Sequence, residues 1–179
     1  FGFLYAPVYH KAMRHAAPVR RLLGVKTIMN LVGPLSNPAN ASHQLLGVYE
    51  SSLLLPVAKA AHLLGAQRAL VVCSRDGFDE ISPFAVTDMI EIHGDGAYRE
   101  LTLDPADYGF SGGNPAGLDG GSAHYNVELA QEMLAGRGRK EIEAAVALNA
   151  GATIYIAGAA ATIAQGVRMA LEALHNGSV

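Results

Sequence analysis

The sequence predicts an α/β fold with a mixed, mostly parallel sheet flanked by helices. Residues 44–49 and 68–73 are short apolar runs of the kind that form buried strands, and between them residues 51–64 repeat apolar side chains at helical spacing. This strand–helix–strand order leaves a connection long enough for a right-handed parallel crossover. Residues 87–93 and 98–103 alternate around Gly94-Asp95-Gly96, which predicts a hairpin that adds antiparallel strands.

Within residues 10–24, Ala12, Ala16, Val19 and Leu23 recur three or four apart, predicting a helix split at Pro18 and stopped at Gly24. Residues 30–38 hold Gly33, Pro34 and Pro38 and are expected to form an irregular loop. The helix over 51–64 is expected to be capped by Ser51 or Ser52 and to end at Gly65. Residues 104–121 form a long glycine-rich connection, ordered by packing or by a partner. From Ser122 onward the pattern is helical, with a break at Gly136-Arg137-Gly138 and a last helix running towards Ala173.

Residues 144–167 contain no Asp, Glu, Lys or Arg and are long enough to span a bilayer. They are nevertheless built largely from Ala, Gly and Thr and include Asn149, Gln165, Gly151, Gly158 and Gly166. Closely packed buried helices, and no membrane partner, are the expectation.

Of the 179 residues, 50% are apolar and 16% charged, which excludes a disordered tail or a collagen-like repeat. The length suits one domain with a sizeable core or one large piece of a bigger protein. The chain opens on the apolar phrase Phe1-Gly2-Phe3-Leu4-Tyr5-Ala6 with no polar lead-in, which points to a fragment. With 13 Lys+Arg against 16 Asp+Glu, the net charge of −3 gives no basic field for coating nucleic acid. The single Cys73 excludes an internal disulfide, and no Cys/His spacing resembles a zinc site, so a reducing compartment is expected with Cys73 as a small buried hydrophobe.

The strongest chemical signal is Asp76-Gly77-Phe78-Asp79-Glu80-Ile81-Ser82, directly after an expected buried strand. In open α/β sheets, ligands sit beyond the carboxyl ends of the strands. Adjacent Asp79 and Glu80 are hard oxygen donors suited to Mg²⁺, which completes its octahedron with water and substrate phosphates. A solvated acidic turn accounts for the same residues equally well. Arg14, His15, Arg20 and Arg21, with His10 before them, form a second group. An arginine fork there would read a carboxylate or phosphate, whereas ordinary helix surface charge explains the residues without any ligand. The loop holding Gly33 and Pro34 could line an apolar slot for a flat ligand or simply connect elements.

A set of ordered motifs spans nearly the whole chain. It begins with Phe3-Leu4-Tyr5-Ala6-Pro7 and His10, Ala17-Pro18-Val19-Arg20-Arg21 with Leu23-Gly24, Lys26-Thr27, Asn30, Gly33-Pro34-Leu35 and Asn37-Pro38-Ala39. It continues with Leu46-Gly47-Val48-Tyr49, Arg68-Ala69-Leu70-Val71-Val72, the Asp76–Ser82 motif, Leu148-Asn149-Ala150 and Tyr155-Ile156-Ala157-Gly158. Together they resemble the anthranilate phosphoribosyltransferases, members of glycosyltransferase family 3 with a nucleoside-phosphorylase-like fold.

The resemblance implies a pentosyl transfer of tryptophan biosynthesis, in which anthranilate displaces diphosphate from phosphoribosyl diphosphate. It implies Mg²⁺ on Asp79 and Glu80, bridging to the diphosphate. It also implies Arg20 on the anthranilate carboxylate, His10 beside the anthranilate path, and Gly33 and Pro34 lining the substrate channel. No acid or base residue is identified. A cytoplasmic location, a homodimer for the full-length protein and association with anthranilate synthase are implied by the same likeness, with no nucleic-acid or membrane partner. The chain departs from the pattern at Cys73-Ser74-Arg75, where the family commonly has a His-Gly pair. The family's glycine-rich diphosphate loop, its Lys-His-Gly-Asn strand and its N-terminal helical domain do not occur within these residues. Residues 1–179 are therefore expected to form a partial catalytic domain, incomplete at the N-terminal side of its sheet and inactive alone. Two alternatives stay open: a pyrimidine nucleoside phosphorylase-like enzyme, and a non-catalytic nucleic-acid-binding paralogue.

Overall fold

Four strands pair in sequence order: β1 (His43–Gly47), β2 (Arg68–Ser74), β3 (Thr87–His93) and β4 (Tyr98–Leu103). This computed structural model describes residues 2, 4–9, 22 and 28–178, which fall into two units, residues 1–42 and 43–179.

In the first unit, α1 (Ala6–Tyr9) is a single turn and α2 (Met29–Leu35) is a short helix. The irregular loop expected over 30–38 is corrected by α2, which runs through Gly33 and Pro34. Pro34 is tolerated because it falls in the last turn of a helix with 7 residues, where it removes one main-chain donor immediately before the helix stops. Ser36 then closes the end, its N–H and hydroxyl both donating to the Val32 carbonyl at 3.0 and 2.6 Å. Apart from Leu22, the helix expected over 10–24 lies outside the described residues.

The second unit holds the sheet. β1 and β2 are parallel, with His43 opposite Arg68 and Gly47 opposite Val72. β2 and β3 are antiparallel from Arg68–His93 to Ser74–Thr87, and β3 and β4 are antiparallel from Thr87–Leu103 to Ile92–Tyr98. The sheet is mixed, as expected, but only the first of its pairings is parallel. The later connections contain no helix to carry a parallel crossover, so the chain doubles back. The hairpin turn is closed by Gly96, whose φ of 83° is readily adopted only without a Cβ, and by the Asp95 side chain accepting from the Ala97 N–H at 2.9 Å.

A crossover helix, α3 (Leu54–Leu63), links β1 to β2 and packs on β2 and β3 through buried Val57, Ala58 and Ala61. Neither serine caps it. The chain enters through a 3₁₀ turn (Ser51–Leu53), and the Ser52 hydroxyl donates to Glu50 Oε1 at 2.6 Å instead. The opposite sheet face carries Leu70, Val72, Met89 and Leu103, packed with Leu148, Ile156 and Val167 from the C-terminal helices. Both faces are covered, which is why β2 reads as an unbroken apolar run.

Residues 104–121 are ordered by two 3₁₀ turns, Pro105–Tyr108 and Pro115–Leu118, capped by Asp104 and Asn114. Three helices complete the unit: α4 (Ala123–Leu134), capped by Ser122, α5 (Lys140–Ile156) and α6 (Ile163–Asn176), capped by Thr162. The apolar stretch over 144–167 is thus broken between α5 and α6. The two helices pack so closely that a Cβ on Gly151 would lie 2.5 Å from the Val167 nitrogen, and one on Gly166 would overlap the Gly151 carbonyl oxygen. Among the described residues, no helix is long and apolar enough to cross a membrane.

One carboxylate lies inside this core. Glu91, fully buried on β3, accepts from Arg68 Nε at 2.7 Å, Arg99 Nε at 2.8 Å and the Tyr155 hydroxyl at 3.0 Å. Burial opposes its charge, but these donors outweigh that and hold its carboxyl below the ordinary range. The cluster gathers at the Arg68 end of β2, about 20 Å along the strand from Ser74 at the usual rise per residue.

Candidate functional site

At the carboxyl end of β2 the chain makes a tight excursion. Gly77 N–H donates to the Ser74 carbonyl at 3.1 Å, and Ser74 N–H to the Phe78 carbonyl at 3.1 Å. Asp76 braces the far side of the loop. Its Oδ2 accepts from the buried Ser82 hydroxyl at 2.6 Å, while Ser82 Oγ accepts from Phe84 N–H at 3.1 Å. Desolvation opposes ionisation of Asp76, but the hydroxyl and main-chain donors around it hold its carboxyl below the ordinary value.

Asp79 and Glu80 occupy the exposed crest of this loop, and the next residue, Ile81, is fully buried in the core. Two further contacts fix the crest. The Asn149 side chain, from the middle of α5, accepts from Ile81 N–H at 3.0 Å and donates to the Ile81 carbonyl at 2.9 Å. Gly47, at the end of β1, lets the Asp79 main chain pass where a Cβ would overlap its carbonyl oxygen and lie 2.6 Å from its carbonyl carbon. Both acidic side chains therefore project from a backbone pinned on either side.

Partial desolvation, and secondly the Asp79 charge, push the Glu80 carboxyl above the ordinary carboxylate range. Among the described residues, neither side chain has a hydrogen-bond or cationic partner. Nor do the described residues gather three or more His, Cys, Asp or Glu side chains in a metal-holding group. Two adjacent, mutually repelling hard-oxygen donors fit a divalent cation that takes its other ligands from water and a phosphorylated substrate. They do not fit a closed structural metal site.

The remaining expected site residues are placed less fully. Gly33 and Pro34 lie in α2 of the first unit, whereas Asp79 and Glu80 belong to the second. Arg20 and His10 lie outside the described residues. At the departure from the family pattern, Arg75 makes a two-pronged pair with Asp88, Nε to Oδ2 at 3.0 Å and Nη2 to Oδ1 at 2.7 Å. That pair holds the Asp88 carboxyl below its ordinary value. Asn149 and Gly47 stand inside the sequence motifs, but their roles are not apparent from the sequence. The available signals are a lone amide in a helix of small and apolar residues, and a glycine at the carboxyl end of a strand.

The whole chain, residues 1–179, matches the family model described as glycosyl transferase family, a/b domain. An anthranilate phosphoribosyltransferase of Rubrobacter xylanophilus is 46% identical over 177 residues, covering 99% of this chain and 52% of that protein. The crystal structure of anthranilate phosphoribosyltransferase from Thermus thermophilus superimposes with a TM-score of 0.87 at 42% identity, covering 99% of this chain and 52% of that one. The Saccharomyces cerevisiae anthranilate phosphoribosyltransferase in complex with PRPP and Mg gives a TM-score of 0.81 at 26% identity, covering 94% of this chain and 48% of that one. The chain spans about half the length of the relatives it matches. The fold around the Asp79–Glu80 loop and the match along every residue agree: this chain belongs to the glycosyl transferase family of a/b-domain proteins.

Proposed function

We propose that this chain forms part of an anthranilate phosphoribosyltransferase, an enzyme of tryptophan biosynthesis that moves a phosphoribosyl group from phosphoribosyl diphosphate to the amine of anthranilate. The observation that carries this reading is the Asp79–Glu80 pair at the carboxyl end of β2, unpartnered among the described residues and placed where α/β sheets hold their ligands. The names of the relatives, and the PRPP and Mg in the yeast complex, support the same assignment.

Asp79 and Glu80 would hold Mg²⁺, which supplies neutralising charge for the departing diphosphate when bound. The loop anchors then do the protein's share. Asp76 with Ser82, Asn149 with Ile81, and the Gly47 gap fix the two carboxylates in advance, so little reorganisation is needed as negative charge builds on the leaving group. Arg20 would read the anthranilate carboxylate through its fork, with His10, Gly33 and Pro34 along the aromatic ring's path. No acid or base residue is assigned, and the proton lost by the amine passes to solvent. Holding the amine in line with the ribose carbon supplies the larger gain. A homodimer, association with anthranilate synthase and a cytoplasmic location complete the proposal.

The test replaces the matching segment of the Rubrobacter xylanophilus relative with this chain and follows anthranilate consumption with phosphoribosyl diphosphate and Mg²⁺. Turnover that disappears in Asp79→Asn and Glu80→Gln is expected. Full turnover in both variants would overturn the assignment.

A further inference from the structure

We infer that Asn149 is a positioning residue for the Asp79–Glu80 pair, acting through the main chain of Ile81. This rests on the metal reading of that pair in the proposed function. The Asn149 amide pairs with both polar groups of residue 81, as a neighbouring strand would, and its Nδ2 also donates to the Ala145 carbonyl at 2.9 Å. One Nδ2 hydrogen thus anchors the amide to α5 and the other holds the loop. Ile81 is peptide-bonded to Glu80, so fixing its N–H fixes the plane from which the Glu80 side chain departs.

Two features separate this from ordinary packing. Asn is a poorer helix former than Ala, yet it occupies the middle of a helix with 17 residues whose neighbours Ala147, Leu148, Gly151 and Ala152 are small or apolar and buried. In addition, Asn149 and Gly47 grip the loop on opposite sides of Glu80, at residues 81 and 79, leaving Glu80 as the residue whose placement both determine.

The experiment measures Mn²⁺ binding in the presence of inorganic diphosphate by electron paramagnetic resonance, beside the thermal midpoint, in the Rubrobacter xylanophilus relative whose matching segment is replaced by this chain. Asn149→Ala should weaken Mn²⁺ binding about tenfold, the usual scale when a group orienting a metal ligand is lost. In a Glu80→Gln background the same change should weaken it no further, because the two act through one ligand. Leu174→Ala, a core change in α6, should lower the midpoint and leave Mn²⁺ binding alone. Should Asn149→Ala fail to fold, Asn149→Asp keeps the acceptor for Ile81 N–H but loses the donor to its carbonyl. Weaker Mn²⁺ binding despite the added negative charge is expected there. Equal or tighter binding in the Asn149 variants, or equal losses with and without Glu80, would overturn the positioning role while leaving the metal reading intact. Absence of Mn²⁺ binding by the unsubstituted protein would overturn the metal reading and this inference together.

Discussion

The main chain of Asp79 passes over Gly47 so closely that any Cβ at position 47 would overlap the Asp79 carbonyl oxygen. A residue at the end of the first strand thereby determines where an acidic pair far along the chain can sit. Gly47→Ala should displace the loop and cost about 2 kcal/mol, the scale of overpacking in a well-filled site. Thermal unfolding measures the loss. Weaker Mg²⁺ binding in the same variant separates loop displacement from a general loss of stability.

The buried carboxylate of Glu91 makes stability depend on acid. Its folded-state pKa lies below the ordinary value, so between the folded and unfolded pKa values the unfolded chain binds more protons. Its contribution is present above the unfolded pKa, near 4.5, and is lost as pH falls through the folded value. Glu91→Gln should therefore flatten the acid limb of a stability–pH curve. It should also cost about 2 kcal/mol at neutral pH, because Arg68 and the half-exposed Arg99 lose a charged hydrogen-bond acceptor. Urea unfolding across the usual carboxylate range and up to neutral pH reads both effects.

The α5–α6 contact leaves no room for a side chain. Gly166→Ala places a methyl group against main chain, not against a movable side chain, so relief requires the helices to separate. A loss of about 3 kcal/mol is expected from overpacking at this position. Ala160→Gly, at a buried position in the segment between the two helices, removes a methyl group instead of adding one and provides a comparison with a smaller loss.

Ser82 tests the internal brace of the acidic loop. Removing its hydroxyl in Ser82→Ala takes a donor from Asp76 and an acceptor from Phe84 N–H in a buried setting, for about 2 kcal/mol. The carboxyl of Asp76 should then titrate at higher pH than in the unsubstituted protein, because one of the groups favouring its charged form is gone. Carboxyl carbon chemical shifts measured by NMR would show the change.

Legibility in the sequence tracks how local the physics is. The β3–β4 hairpin is readable residue by residue because alternation and the Gly94-Asp95-Gly96 turn lie within one short stretch. The crossover helix is readable as an element but not at its start, since Ser52 has a nearer partner in Glu50. α2 escapes a reading that weighs Gly33 and Pro34 as breakers without regard to how late in a short helix they fall. The Asp79–Glu80 pair stands out by composition and by its place after a strand. The residues that hold it do not, because Asn149 reaches Ile81 across 68 positions and Gly47 acts through the absence of an atom.

Asp79 and Glu80 are proposed to bind the metal that accompanies phosphoribosyl diphosphate. Calorimetric titration of phosphoribosyl diphosphate with and without Mg²⁺ tests this binding most directly. The Rubrobacter xylanophilus relative carrying this chain in place of its matching segment should bind more tightly with Mg²⁺, and its Asp79→Asn and Glu80→Gln variants should bind equally in both conditions. An Mg²⁺ enhancement that survives in both variants would contradict the claim.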